Sequence, residues 1–540
     1  MARGHSFINK EEVKRELTFE EYISGMNLRD KVTHLLAPGI RPEKRENTDK
    51  REYIDSIFED KTIKPGMVLV FGGKKEAIIE TVEWVSNHSG RPVLAAMDME
   101  PSPAGCTHFG SQMAISATDD ENIAYMAGCG CALEGREMGL NMSFSPVVDI
   151  LKNRLNPITA IRSFGDEPAR VIRFALPYMN GMQDNGLVAT GKHFPGDGVD
   201  DRDQHITTTI NSLSKEEWLN SYGKVWKTMI DSGIKAIMPG HIALPAFEPD
   251  GAVIPATMSR ALITDLLRGE LGFDGLIVTD ALNMGGLGQY SVKERIVGTV
   301  KAGADCLLFP NFLGDISEIA DILEEAVLSG EISEERIEKS IYRIWKTKSE
   351  IGLIGAPTAI PCSDEDRAKI VGAATSVAEK AITVVRNRKN ILPLDFKTTK
   401  KVISIDLDNK NGNVVNLLDD ELKSRGIEVL KYGERTENGF VPFYNLPKTD
   451  ALIINFFYST YWGTNHIRPC GTQIQNLFQY MCQFDGPVIL ISYGNPHIVY
   501  EYSSYADTVI NTYGAPKYAN ALCNILFGES EAQGVPPVII

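Results

Sequence analysis

A (β/α)8-type TIM barrel followed by a smaller α/β/α sandwich is the fold class that this 540-residue α/β sequence predicts. Three observations predict it. Short apolar runs alternate with longer segments of helical period from about residue 66 to residue 311, five of those runs end on a polar or titratable residue, and after a proline-bearing interruption the strand and helix rhythm restarts on a smaller scale. At ~100–200 residues per domain, the length calls for at least two units.

The runs GMVLVFGG, PVLAAMDME, NMSFSPVVDI, GLVATGKHF, IKAIMPGHIALP, GLIVTDALN and CLLFPN are continuous rather than alternating, as strands buried on both faces must be. Between them lie KKEAIIETVEWVSNHSG, EPARVIRFALPYMNGMQDNG, SKEEWLNSYGKVWKTMIDSG and SRALITDLLRGELG, with apolar residues at helical spacing. Parallel strands need such crossovers, and seven strands before residue 311 fit a barrel better than a small open sheet. GDISEIADILEEAVLSG and EISEERIEKSIYRIWKTKSEIGL read as closing helices, the second opening at Ser333 with acid in its first turn. The barrel is assigned to residues 1–355 and a linker to 356–376, around IGAPTAIPCSDEDRAK. Residues 377–540 form the sandwich: KKVISIDLD, GIEVLKYG, DALIINFFY, GPVILISYG and DTVINTYG are strand-like, with helical segments between them.

Lys plus Arg total 55 against 71 Asp plus Glu, a formal net charge of −16, which argues against nucleic-acid or anionic-membrane partners. The amino-terminal stretch has no signal-peptide core and no apolar run approaches the ~18 residues of a membrane span, so a cytoplasmic protein is expected. The eight cysteines lack CxxC or zinc-like spacing and read as free, mostly buried thiols.

The five polar run ends are Asp98, Asp149, His193, His241 and Asp280. In a parallel βα fold such ends emerge on one face, where sites are built. KHFPGDGVDDRDQH, residues 192–205, adds a crowded loop to that face. Its acids and imidazoles suggest a metal, yet the calcium-loop order and a helical HExxH are both missing, and no metal or cofactor is assigned. A Schiff-base role for Lys192 lacks a desolvating neighbour. The favoured reading is an acid–base histidine: Asp203 lies two residues before His205 and can accept from Nδ1–H, leaving Nε2 for a substrate. With an unperturbed pKa of ~6.5, an imidazole both gives and takes a proton. Gly196 and Gly198 read as a hinge that lets the loop bend toward a ligand.

GKHFPGDGVDDRDQH resembles the corresponding loop of glycoside hydrolase family 3, in its β-N-acetylglucosaminidase branch, whose pattern is approximately KHFPGHG followed by D-x-H. The resemblance extends in order through NMSFSPVVDI, IRSFGDEP, ATMSRALITDLLRGELGFDGLIVTDALNMGG and AGADCLLFP, from about residue 90 to 310. It implies that Asp280 is the nucleophile, His205 the acid and base, and Asp203 its dyad partner. It also implies that Asp98, Arg162, Lys192 and His193 hold sugar hydroxyls. The activity implied is retaining, exo-acting release of terminal β-linked N-acetylglucosamine (N-acetylhexosamine) from small glycans or cell-wall fragments through a covalent glycosyl-aspartate. A carbohydrate substrate is then the only partner implied.

Two departures from the family pattern stand out. Asp197 occupies the place of a usual histidine, adding charge near the dyad, and DMEPSPAG replaces D-x-E-G-G-R, so that Pro101 and Ser102 stand for the glycines. Alternatives are a β-glucosidase or β-xylosidase of the same family, or a non-catalytic sugar-binding protein. A further expectation is that phosphate competes with water as acceptor, because a neutral histidine repels no anion. The sandwich domain is given a structural or partial substrate-binding role.

Overall fold

The computed structural model describes residues 17–42, 60–101, 103, 105–310, 316–354, 361–408, 415–433, 447–460, 462–463, 469 and 472–540. Its strands in chain order begin with β1 (Leu36–Ile40), β2 (Met67–Val70), β3 (Leu94–Met97), β4 (Met142–Ser143), β5 (Val188–Phe194), β6 (Thr209–Ile210), β7 (Ala236–Pro239), β8 (Ile242–Ala243), β9 (Leu276–Ile277) and β10 (Leu307–Phe309). Eight of these form one all-parallel sheet in the order β10-β1-β2-β3-β4-β5-β7-β9. A parallel bridge between Val278 and Cys306 joins the two ends, with the Cys306 N–H donating to Ile277 O at 3.0 Å and the Thr279 N–H to Cys306 O at 3.0 Å. The sheet is therefore closed into the expected barrel. β6 and β8 pair apart from it, in parallel.

One barrel strand escaped the apolar-run reading. β1, LAPGI, carries a proline and a glycine, yet is wholly buried and pairs with β10 and β2. Its glycine fits because β1 is crowded: a Cβ at Gly39 would stand 2.5 Å from the Pro310 carbonyl oxygen. The helix Glu121–Glu137 was likewise unforeseen, since Gly128, Gly130 and Gly135 lower its intrinsic propensity. Those glycines serve contact: added Cβ atoms at Gly128 and at Gly181 of helix Pro168–Asp184 would each meet a backbone oxygen of the other helix at 2.1 Å.

The smaller domain adds β11 (Thr383–Asn387), β12 (Lys401–Asp408), β13 (Glu428–Gly433), β14 (Ala451–Phe457), β15 (Val488–Ser492) and β16 (Thr508–Asn511), in the order β11-β16-β15-β14-β12-β13. All pairs are parallel except β11 with β16. Two apolar clusters flank this sheet, one including residues of helix Thr472–Gln483, the other residues of Leu417–Ser424 and Tyr518–Leu526. The span 356–376 departs from the linker expected there. Residues 355–360 lie outside the described residues, but Asp364–Lys380 is one helix, capped by Ser363 and rich in acid in its first turn. It braces the barrel through Lys380 to Asp120 at 2.9 Å and Arg367 to Glu137 at 2.7 Å. The carboxyl-terminal tail also returns to the barrel, with the Val535 N–H donating to Ala117 O at 2.9 Å and the Ile539 N–H to Asp166 at 2.7 Å.

Among the described residues no helix is long and apolar enough to cross a membrane. The described cysteines are unpaired, and Cys129, Cys131, Cys306, Cys362 and Cys523 are buried, whereas Cys482 is exposed; Cys470 lies outside the described residues.

Two buried indoles connect the core to the crowded loop. Trp218 and Trp226 both donate Nε1–H to the Pro195 carbonyl, at 3.0 and 3.1 Å, and both pack edge-on against Phe194. Trp226→Ala is therefore expected to cost ~3–5 kcal/mol, the range for truncating a buried aromatic. A urea-unfolding midpoint unchanged from the parent would refute that support.

Candidate active site

The carboxyl ends of the barrel strands open into a cavity of about 1140 Å³ with walls from both domains. Asp98, Arg162, Lys192, His193, His205 and Asp280 all line it. Asp203 lies behind His205, fully buried. Residues spread over almost two hundred positions thus share one space because parallel strands deliver their carboxyl ends to one face.

The Asp203 carboxylate accepts from the backbone N–H of His205 at 2.8 Å and from its Nδ1–H at 2.7 Å. This sets the tautomer and leaves Nε2 for a ligand. The other Asp203 oxygen accepts from the Gly463 N–H at 2.8 Å, a contact made by the smaller domain. Beside it the Trp462 ring stands 4.8 Å from the His205 ring and 4.8 Å from the Arg162 guanidinium. The smaller domain therefore completes the site rather than only supporting it.

The loop bearing His205 is docked, not hinged. The Gly285 N–H donates to His205 O at 2.8 Å, the Gly286 N–H to Gln204 O at 3.1 Å, and the Thr208 hydroxyl to Gly286 O at 2.6 Å. Gly196 has φ +134°, with space for a Cβ blocked 2.1 Å away by the Tyr222 ring; Gly198 has φ +97°, with Ile150 O at 2.1 Å. Positive φ and close approach require these glycines, which corrects the hinge expected of them. Three of the loop's four acids are engaged separately, Asp201 being exposed: Asp200 holds Arg202 at 2.9 and 2.6 Å and the Ile210 N–H at 2.7 Å, whereas Asp197 and Asp203 bind other groups.

A buried ion network floors the cavity. Lys192 Nζ contacts Asp98 at 2.8 Å and Glu100 at 2.5 Å, and Arg162 binds Glu100 in a fork at 2.8 and 2.9 Å. Burial pushes the Glu100 carboxyl up, but Arg162 and Lys192 outweigh it and hold it well below the usual carboxylate range. Burial likewise disfavours the Lys192 cation, yet Asp98 and Glu100 raise its pKa, so it stays protonated and is no amine nucleophile. Arg162 Nη1 is buried without a hydrogen-bond partner among the described residues, a donor left for a ligand. Asp98 is the open member, with 53% of its side chain exposed.

Asp280 follows β9, and one of its oxygens accepts from the Ala281 N–H at 2.8 Å. Burial raises its pKa, but His193, then His241 and His205, and the Ala281 N–H together lower it below the ordinary value. It is therefore a carboxylate at neutral pH, as a nucleophile must be.

Of the five polar strand ends, Asp98, His193 and Asp280 line the cavity, while Asp149 and His241 stand behind it. Asp149 accepts from His193 Nδ1–H at 2.7 Å and from its backbone N–H at 3.1 Å, forming a second carboxylate–imidazole pair. His241 is fixed between Thr257 and the Ala281 carbonyl, both at 2.9 Å, and burial lowers its pKa. Glu100 was overlooked although D-x-E signals it. Trp462 carries no local signal, because only domain docking brings it to the site. Pro101 is buried, and its carbonyl accepts from the Cys131 thiol at 2.8 Å; Ser102 lies outside the described residues.

The glycosyl hydrolase family 3 N-terminal domain matches residues 27–347. A Cellulomonas fimi protein named β-N-acetylglucosaminidase/β-glucosidase is 31% identical over 85% of each chain, and β-hexosaminidase A of Pseudoalteromonas piscicida 24% identical over 83% of each. Among solved structures, a β-glucoside phosphorylase, BglX, bound to 2FGlc superposes with a TM-score of 0.86 at 28% identity, covering 96% of both chains. A family 3 β-N-acetylglucosaminidase from Paenibacillus sp. str. FPU-7 gives 0.81 at 26% identity, covering 95% of this chain and 99% of that one.

Glu100→Gln removes the charge on which both Arg162 and Lys192 rely. Charge-assisted hydrogen bonds contribute ~1.5–3 kcal/mol, so kcat/KM on an aryl glycoside should fall about tenfold or more. Steady-state kinetics giving the parental kcat/KM would show that Glu100 does not organise this floor.

Proposed function

The chain belongs to glycosyl hydrolase family 3 and is a glycosidase, and on that premise we propose that it releases terminal β-linked N-acetylglucosamine from small glycans or cell-wall fragments with retention. The reading rests on one observation above the others: the Asp280 carboxylate and the Asp203-supported imidazole of His205 line the same cavity. Asp280 attacks the anomeric carbon while His205 Nε2–H protonates the departing oxygen; in the second half His205, now neutral, takes a proton from the acceptor that displaces Asp280. Asp203 keeps the imidazole oriented and stabilises its charged form. Asp98, Arg162, Lys192 and His193 hold the ring hydroxyls, which fixes the sugar in reach of Asp280. Names of relatives such as the Cellulomonas fimi protein support the amino sugar as substrate.

A second reading is favoured by the same relative's double name and by the similarity to a β-glucoside phosphorylase. In it the sugar is glucose, or phosphate replaces water as acceptor. A neutral His205 base adds no negative charge where an anion would arrive.

A panel of nitrophenyl β-glycosides, run with and without inorganic phosphate, separates these readings. Turnover of the N-acetylglucosaminide but not the glucoside supports the first; preference for the glucoside, or sugar phosphate as the main product, replaces it with the second. Asp280→Ala should lose nearly all turnover, and full activity in that variant would remove Asp280 from the role of nucleophile. His205→Ala should be impaired most on poor leaving groups, which need protonation, with loss in the range of ~10²–10⁴-fold for a general acid.

A further inference from the structure

Asp197, the loop residue that departs from the family pattern, is absent from the cavity wall and 2% exposed. One carboxylate oxygen accepts from Asn156 Nδ2 at 2.9 Å and the Gly198 N–H at 2.6 Å, and the other accepts from Gln204 Nε2 at 3.2 Å. Gln204 stands between the two members of the acid–base dyad in sequence. Its Oε1 accepts from the His241 N–H at 2.9 Å, so the amide must present its NH2 group to Asp197. The backbone of Asp197 is held too: its N–H donates to Asp149 at 2.7 Å and its carbonyl accepts from the Tyr222 hydroxyl at 2.6 Å. Burial first, and Asp149 second, push its carboxyl up to about 6, against the opposing pull of His193, the Gly198 N–H and Asn156. Three N–H donors aimed at its carboxylate nevertheless make it an acceptor.

We propose that Asp197 is a positioning residue: through the Gln204 amide it fixes the segment carrying Asp203 and His205 against the barrel end at His241. The inference rests on the acid–base reading of His205. It assigns the unusual aspartate to the support of proton transfer rather than to the sugar.

Asp197→Asn tests this at constant volume. An asparagine oxygen can satisfy Asn156 and Gly198, but its NH2 then faces the NH2 of Gln204, and the strut opens. Gln204→Leu opens the same strut from its other end. Each variant and His205→Ala would be assayed on a phenyl and a 2,4-dinitrophenyl glycoside of the sugar that the panel identifies. Both strut variants should lose about ten- to hundredfold in kcat/KM on the phenyl substrate, the scale of a small misplacement of a reacting group, and little on the dinitrophenyl one. The double variant should lose no more than either single one, because the two residues act as one unit. A leaving-group effect in His205→Ala without one in either strut variant would overturn the inference alone. Equal loss on both substrates in the strut variants would overturn it as well. No leaving-group effect in His205→Ala would overturn the acid–base reading, and this inference with it. If Asp197→Asn loses native circular dichroism, Gln204→Leu decides.

Discussion

Closing an all-parallel sheet on itself forces every strand to present its carboxyl end to the same rim, and the chemistry of this molecule hangs on that constraint. The closure is made by a few backbone hydrogen bonds between Ile277, Thr279 and Cys306. It brings the end of β9, with Asp280, round to the rim that holds Asp98, Lys192 and His193. An open sheet of the same strands would leave these groups strung along an edge. The loops that leave the rim are then close enough to bond one another, as the Gly285 and Gly286 amides do with His205 and Gln204.

Gathering charges in a buried rim has a cost that the site offsets by pairing. Lys192 and Arg162 are nearly covered; Glu100 contacts both, and Asp98 gives Lys192 a second carboxylate, so neither cation is buried unpaired. Each imidazole on the cavity wall likewise has a carboxylate: Asp203 behind His205, Asp149 behind His193. These partners do not reach the cavity themselves. They set tautomer and orientation for the groups that do.

The smaller domain closes the last side. Its sheet order reverses between β12 and β14, and loops at the carboxyl ends of such strands gather around that reversal. Phe457 at the end of β14, Ser459, Thr460 and Trp462 just after it, and Tyr493 and Gly494, which follow β15, reach the barrel mouth. Gly463 touches Asp203 directly, so docking of the two domains and the geometry of the His205 dyad are coupled.

What the sequence determined by itself was set by local rules. Continuous apolar runs and helical spacing were enough for the barrel and sandwich, and D-x-H two residues apart was enough for the Asp203–His205 contact, since such a pair meets within one turn. Order along the chain also sufficed to collect Asp98, Lys192, His193 and Asp280, because parallel strands leave no other face for their ends. Only the tertiary structure decided contacts between residues remote in sequence. β1 and the glycine-bearing helix Glu121–Glu137 look unpromising alone and are chosen by their neighbours in close packing. Glu100 became the keystone of the cations, Trp462 arrived from another domain, and Gly196 and Gly198 proved to be packing sites. Asp197 turned from a stray charge into a buried acceptor for Gln204, since the direction a side chain takes from a loop is set by what packs around it.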